Sequence, residues 1–168
     1  MEHWNSVLHL FKNDDGSLPD IFIENLTENE IITIYNWIVS NSEIYNNPTL
    51  WSIEEQKDVP IKQIVNPAKN FVEGRVECFH HGLENLKMDG VIIPQLGIFV
   101  ENGRLSLDYR MGLEWEPIEV EALFKLLYSM VKSAPNLKVR HADEGCYDKP
   151  NKEFTDAFAK YVKEKKAL

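Results

Sequence analysis

Cysteine is scarce in this sequence, with Cys78 and Cys146 the two examples among 168 residues. They lie outside any Cys-x-x-Cys or Cys/His spacing, which argues against a disulfide framework and against a structural zinc site. Long apolar runs are lacking too, since no uncharged stretch reaches the roughly 18 to 20 residues that a membrane helix needs. We therefore expect reduced thiols, with Cys146 a small buried one, and no membrane segment.

A secretory signal is also missing. The first residues, MEHWNSV, contain neither a basic region nor an apolar segment. Together with the unpaired cysteines, this predicts a cytoplasmic protein.

Basic residues are rare in the first third of the chain. Residues 1–58 hold two basic and eleven acidic side chains, whereas residues 59–168 hold sixteen of each, so the net charge of −9 belongs to the first third. An acidic surface repels phosphate backbones, which disfavours DNA and RNA as partners and favours a basic protein. The alternative is that this charge serves only solubility.

Common catalytic motifs are absent from the sequence. It contains no GxxxxGK, GxGxxG, GxSxG or HExxH pattern and no EF-hand loop. These absences count against a nucleotide enzyme, a serine hydrolase and a zinc protease, and we expect no cofactor.

The length and the element pattern predict one α+β domain over residues 1–168. Helical spacing of apolar residues predicts three helices, at about 28–40, 117–132 and 151–165. The first begins with a capping box at Thr27 and the second with Pro117 in its first turn.

Two hairpins are expected to form the antiparallel sheet against which these helices pack. The central one, over about 91–111, turns at Asn102-Gly103, and Pro94 indicates either a bulge or a late start of its first strand. An N-terminal hairpin joins residues 4–11 to residues 18–24 through an Asp-Gly turn.

The middle of the chain is less regular. Residues 41–70 read mostly as loop, with short extended pieces. Residues 71–86 fit both a strand, over 71–79, and a helix that begins at Asn66-Pro67. Glycines within the segment favour the strand slightly.

Histidines supply the first candidates for chemistry. His80, His81 and His141 are borderline ligands for a transition metal if the fold brings them together, although adjacent histidines of a strand point to opposite faces. His141, Asp143 and Cys146 have the composition of a nucleophilic site. A small hydrolase or a metal-dependent enzyme is thus the alternative function.

The end of the central hairpin carries Asp108, Arg110 and Trp115. They are expected to form either a cross-strand ion-pair network, with residues 73–77 on a neighbouring strand, or a recognition surface. A small-ligand or structural module with a pocket near Arg110 and Trp115 is a further alternative.

The acidic first third also holds aromatic residues that could anchor a partner. The candidate contacts are Glu28, Glu30, Trp37, Glu43 and Trp51. A small, acidic α+β chain without catalytic motifs is similar in general type to bacterial immunity and antitoxin-like partners, which mask a basic toxin by charge complementarity. The leading hypothesis is therefore a non-enzymatic protein that binds a basic partner, and a homo-oligomer is left open.

Overall fold

The computed structural model describes residues 4–168, which form helices and short strands in alternation. The α-helices span His9–Lys12 (α1), Glu28–Ser40 (α2), Pro67–Val72 (α3), Pro117–Ser133 (α4) and Lys152–Lys166 (α5), with 3-10 turns at Trp4–Ser6 and Ile61–Gln63. The strands span Asp20–Glu24 (β1), Glu43–Ile44 (β2), Thr49–Ser52 (β3), Lys57–Pro60 (β4), Phe79–Glu84 (β5), Lys87–Met88 (β6), Val91–Ile92 (β7), Leu96–Glu101 (β8), Arg104–Tyr109 (β9) and Lys138–Ala142 (β10).

The α+β architecture predicted from the sequence is confirmed. A six-stranded sheet has the order β10-β1-β9-β8-β5-β2, every neighbouring pair being antiparallel, and β3–β4 and β6–β7 form two small sheets. Alternate residues of the large sheet, such as Ile21, Ile98 and Leu107, are buried in the core with the apolar stripes of α2, α4 and α5. The other face of this sheet carries the polar alternation. No helix within residues 4–168 is long and apolar enough to cross a membrane.

The three predicted helices correspond to α2, α4 and α5. In α2, the sequence signals that predicted the helix are seen in the structure. The Thr27 hydroxyl accepts from the backbone of Glu30, whose carboxylate accepts from the backbone of Thr27, so the predicted capping box forms. Ile31, Ile34 and Ile38 then bury one helical face.

The predicted N-terminal hairpin is wrong, because its first run is helical. Trp4, Val7 and Phe11 are buried at a spacing of three and four residues, which places them on one side of the 3-10 turn and α1. The second run does form β1, but its partners are β9 and β10. The left-handed glycine of the expected turn is present at Gly16, in a loop.

Both patterns in residues 71–86 occur, one after the other. Asn66 caps α3, which ends at Val72, and Gly74 then adopts a positive φ of 74° that ends the helix. The strand β5 follows at 79–84, so the favoured strand over 71–79 is wrong, because α3 includes the first two of these residues and a turn follows. The central hairpin is confirmed as β8–β9, and β8 begins two residues after Pro94.

Candidate functional site

The uncovered side of the six-stranded sheet is the open face. Its side chains are Asp20, Phe22 and Glu24 of β1, Arg104, Ser106 and Asp108 of β9, Gly97, Phe99 and Glu101 of β8, His80, Gly82 and Glu84 of β5, and Arg140 of β10. Because a strand alternates its side chains, these positions all lie opposite the helices.

An ion pair spans β8 at the centre of the open face. His80 Nε2 lies 2.5 Å from Asp108 Oδ2, although β8 separates the strands that carry them. The residue between them is Gly97, and a Cβ there would lie 2.3 to 2.5 Å from the Asp108 carboxylate and His80 Nε2. The missing side chain of Gly97 therefore lets the pair form. The hydrogen bond to Asp108 is the main cause that raises the pKa of His80.

A second carboxylate, Asp20, lies beside this pair in register with Asp108. Burial, followed by the charges of Asp108 and Glu144, raises the pKa of Asp20 to about 6. Within residues 4–168 its carboxylate forms neither an ion pair nor a hydrogen bond. Asp20 is thus a half-buried acid without a counter-ion of its own.

Two hollows meet at the His80–Asp108 pair. One, of about 410 Å³, is lined by Asp20 and by the aromatic rings of Phe22, Phe99 and Tyr147. The other, also about 410 Å³, is lined by Tyr45, Gln95, Arg110 and Glu114, among others. Together they form a groove, here called the sheet groove, with Asp108 and His80 in its middle.

One end of the sheet groove is cationic but internally neutralised. The guanidinium carbons of Arg104 and Arg140 lie 4.6 and 4.5 Å from the centroid of the Phe22 ring. Arg140 donates to Glu24 at 2.8 Å, and Arg104 pairs with Glu101. Both arginines are therefore held by carboxylates of the same face.

A second surface lies on the small sheet β3–β4. Trp51 is in register with Asp58 on one side, and the amide of Glu77 donates to the Trp51 carbonyl on the other. The Trp51 side chain is thus flanked by two exposed carboxylates, neither of which forms an ion pair within residues 4–168. Ile53, two residues along, shares this side. We call Trp51, Ile53, Asp58 and Glu77 the Trp51 face.

The four tryptophans, all of them described, differ sharply in exposure. Trp51 is 38% exposed, Trp4 and Trp115 are buried, and Trp37 is half-buried against the core. Trp115 donates its indole N–H to the carbonyl of Arg110. The prediction that Trp115 is a surface anchor is therefore wrong. Trp51 is the most exposed of the four tryptophans.

The remaining predicted contacts are dispersed. Glu28 and Glu30 lie at the start of α2, where the Glu30 side chain is occupied in the cap, and Glu43 accepts from Asn85 at the sheet edge. Arg110 is exposed, 3.7 Å from Asp14. Residues 73–77 do not neighbour β9, whose partners are β1 and β8, so the expected ion-pair network with that segment is wrong.

The proposed metal set is not assembled. His80 and His81 point to opposite sides of β5, as expected, and β5 and β10 are separated by three strands, or about 19 Å at the usual strand spacing. His81 and His141 are both buried. His81 forms a hydrogen bond with Tyr35, and His141 forms one with Tyr109. Within residues 4–168 no group of three candidate ligands lies together.

The Cys/His/Asp set is also not arranged for nucleophilic catalysis. Cys146 and Asp143 lie exposed on the loop after β10, whereas the ring of His141 is buried between Phe11 and Phe154. Cys146 was expected to be buried, and that expectation is wrong. The loop carries turn hydrogen bonds that keep it at the surface.

Sequence reasoning found His80, Asp108 and Trp51 but missed Asp20 and Gly97. The glycine carried a usable signal, because a glycine inside a strand pattern often marks a close approach. Asp20 carried none, since its position beside Asp108 depends on the pairing of two strands more than 80 residues apart.

Comparison with known proteins gives a fold likeness. No family model matches the sequence, and no curated protein does. A chain in the crystal structure of the toxic C-terminal tip of CdiA from Pseudomonas aeruginosa in complex with immune protein is similar, with a TM-score of 0.52 and 13% identity over 78% of this chain and 88% of that chain. A T6SS protein from Pseudomonas aeruginosa has a TM-score of 0.36 and 8% identity over 76% of this chain and 40% of that chain, which carries no argument. The first likeness shows a shared α+β fold.

Proposed function

We propose that this chain is a non-enzymatic, immunity-like protein of the cytoplasm that binds a basic protein partner through its acidic first third. The observation that carries the proposal is the Trp51 face, where an exposed indole lies between two unpaired carboxylates. Tryptophan is the residue type most enriched among the strongest interface contacts.

Charge around this face favours a basic partner. Glu54 and Glu55 follow Trp51 at the tip of the β3–β4 hairpin and both are exposed, Glu55 being paired with Lys57 at 2.7 Å. Carboxylates at an interface rim accelerate encounter with a basic protein and lose this effect as salt rises. The surface thus combines an apolar anchor with a steering field.

The fold likeness supports a protein partner. The similar chain comes from a complex between a toxin tip and its immune protein. Because a shared fold does not by itself imply a shared function, the proposal stands on the Trp51 face.

The test begins with this chain immobilised and exposed to lysate of its source organism, at low and at high salt. The retained protein is identified, purified and titrated against the wild-type chain. We expect a basic protein that is held at low salt and released at high salt.

The variant Trp51→Ala should then weaken the affinity by roughly 30-fold, the effect of losing about 2 kcal/mol at an interface anchor. Trp37→Ala is the matched control, because Trp37 packs against the core. Circular dichroism confirms that both variants fold. An empty column at low salt, or an unchanged affinity of Trp51→Ala, would contradict the proposal.

A further inference from the structure

The sheet groove holds two neighbouring carboxylates but supplies one cation for them. His80 sits on Asp108 at 2.5 Å, whereas Asp20, in register with Asp108, has no ion pair within residues 4–168. The His80 imidazole hydrogen-bonds to Asp108 above the bare backbone of Gly97, so this position has room for a group that binds the carboxylate. A second cation would complete the arrangement.

The arginines that line the sheet groove are paired with other carboxylates, Arg110 with Asp14 at 3.7 Å. The charged groups that face Asp20 are Asp108 of β9, Glu144 of the loop after β10, His80 of β5 and Arg104 of β9. Arg104 is stacked on Phe22 and paired with Glu101. Arg140, across the same ring, is held by Glu24.

The walls of the groove suit the stem of a long basic side chain. Phe99 and Tyr147 line the hollow of about 410 Å³ that contains Asp20. Aliphatic stems pack on such rings while their charged ends reach polar groups, and a guanidinium gains additionally from an aromatic face. An arginine also matches a carboxylate with a pair of parallel hydrogen bonds.

We propose that the sheet groove is a receptor for an arginine side chain of the protein partner, with the guanidinium bound by Asp20 and Asp108 and the stem lying on Phe99. This inference rests on the proposed function for the source of the side chain. It places the receptor on the large sheet, separate from the Trp51 face on β3–β4. Binding of the arginine competes with His80 for Asp108.

Acid should weaken this binding. Protonation of His80 strengthens its hold on Asp108, and protonation of Asp20 removes the second carboxylate. Glu144 adds negative charge from the neighbouring loop and Arg104 opposes the ligand, but Arg104 keeps its charge throughout. We expect the affinity to fall by about tenfold between pH 8 and pH 5.5.

The test uses N-acetyl-arginine amide and its uncharged analogue N-acetyl-citrulline amide, titrated into the full chain and followed by NMR. The arginine compound should shift the His80 ring and Phe99 signals saturably and lower the measured pKa of His80, because a nearby cation disfavours the imidazolium. The citrulline compound should do neither at the same concentration.

The variant Asp20→Asn should weaken binding of the arginine compound at least fivefold, whereas Asp156→Asn, an equal change on the exposed side of α5, should leave its binding unchanged. Equal binding of the two compounds, or unchanged binding to Asp20→Asn, would overturn the inference.

Failure here is distinguishable from failure of the proposed function. A protein partner that binds wild type and Asp20→Asn equally, but loses affinity for Trp51→Ala, leaves the function standing and overturns the receptor. Arginine binding at His80 and Asp20 together with an empty partner column supports the receptor and contradicts the function.

Discussion

The two faces of the six-stranded sheet treat histidine in opposite ways. His80 and His81 are neighbours on β5, yet burial lowers the pKa of His81, while the hydrogen bond to Asp108 raises that of His80. On the covered face a charged ring has no compensation, so the fold keeps it neutral. On the open face the His80 ring hydrogen-bonds to a carboxylate, which favours its charged form. Because successive side chains of a strand point to opposite faces, the position of a residue in this alternation decides whether its side chain lies in the core or on the surface.

The covered face also fixes which nitrogen of each buried histidine carries the proton. Tyr109 donates its hydroxyl to the Leu10 carbonyl, so it must accept from His141 Nε2. His81 donates from Nδ1 to the Gly82 carbonyl and accepts from Tyr35 at Nε2. Both rings are thus neutral structural groups.

The largest expected contrast comes from adjacent positions of β9. Leu107→Ala, on the covered face, should lower the free energy of unfolding by roughly 2 to 5 kcal/mol, because it leaves a cavity in the core. Ser106→Ala, on the open face, removes a hydroxyl that forms no hydrogen bond within residues 4–168 and, although Ser106 is only 4% exposed, should change this free energy by less than about 1 kcal/mol. Urea denaturation measures both, and similar losses would contradict the assignment of the faces.

The next contrast is a pH dependence of the covered face. Burial lowers the pKa of His141 to about 4 in the folded protein, whereas the pKa of this histidine in the unfolded chain is about 6.5. Between these values the unfolded state binds more protons, so stability falls as the pH drops from about 6.5 to about 4, by about 3 kcal/mol in total.

The variant His141→Gln tests this pH dependence, because its amide can still donate to Tyr109 but does not titrate. It should lose about 3 kcal/mol less than wild type between pH 7 and pH 4, measured by urea denaturation. Parallel pH profiles of the two proteins would show that His141 is not the group responsible.

Asp20 on the open face should show the opposite sign. Its folded pKa of about 6 exceeds the unfolded value of 3.8, so the folded state binds more protons between them and Asp20 costs stability above pH 6. Asp20→Asn should stabilise the protein by about 1 kcal/mol at pH 7.5, after allowance for solvent screening. The gain should shrink toward zero as the pH falls to about 4.

The smallest effect concerns Gly97. A Cβ at this position meets the ends of the His80 and Asp108 side chains, which can move aside, so Gly97→Ala should cost little stability. It should nevertheless separate the ion pair and return the pKa of His80 toward its ordinary value, as an NMR titration of the ring would show. A His80 pKa that stays raised would refute the role given to Gly97.

Local signals in the sequence were sufficient for much of the fold. The capping box at Thr27, Pro117 at a first turn and Asn102-Gly103 each act within a few residues, and each correctly located α2, α4 or the β8–β9 hairpin. The predicted N-terminal hairpin is wrong because burial of Trp4, Val7 and Phe11 on one helical side outweighs the local turn signal at Gly16.

The sites were harder to predict, because they depend on distant pairings. Trp51 and Asp108 could be named from residue type, but the sheet groove exists because β1 pairs with β9, which brings Asp20 beside Asp108. Trp115 was misassigned for a related reason, since its indole N–H finds a backbone partner only once the end of the hairpin folds back.

The central claim, that an acidic surface around Trp51 binds a basic protein, is tested most directly by the association rate of the purified partner at two salt concentrations. Asp58→Asn combined with Glu77→Gln should slow association several-fold at low salt and flatten its salt dependence, because the steering charge is lost. Asp156→Asn combined with Glu153→Gln, an equal change of charge on α5, should have a smaller effect. Equal effects of the two double variants on the association rate, or a wild-type association rate that is independent of salt concentration, would contradict the account.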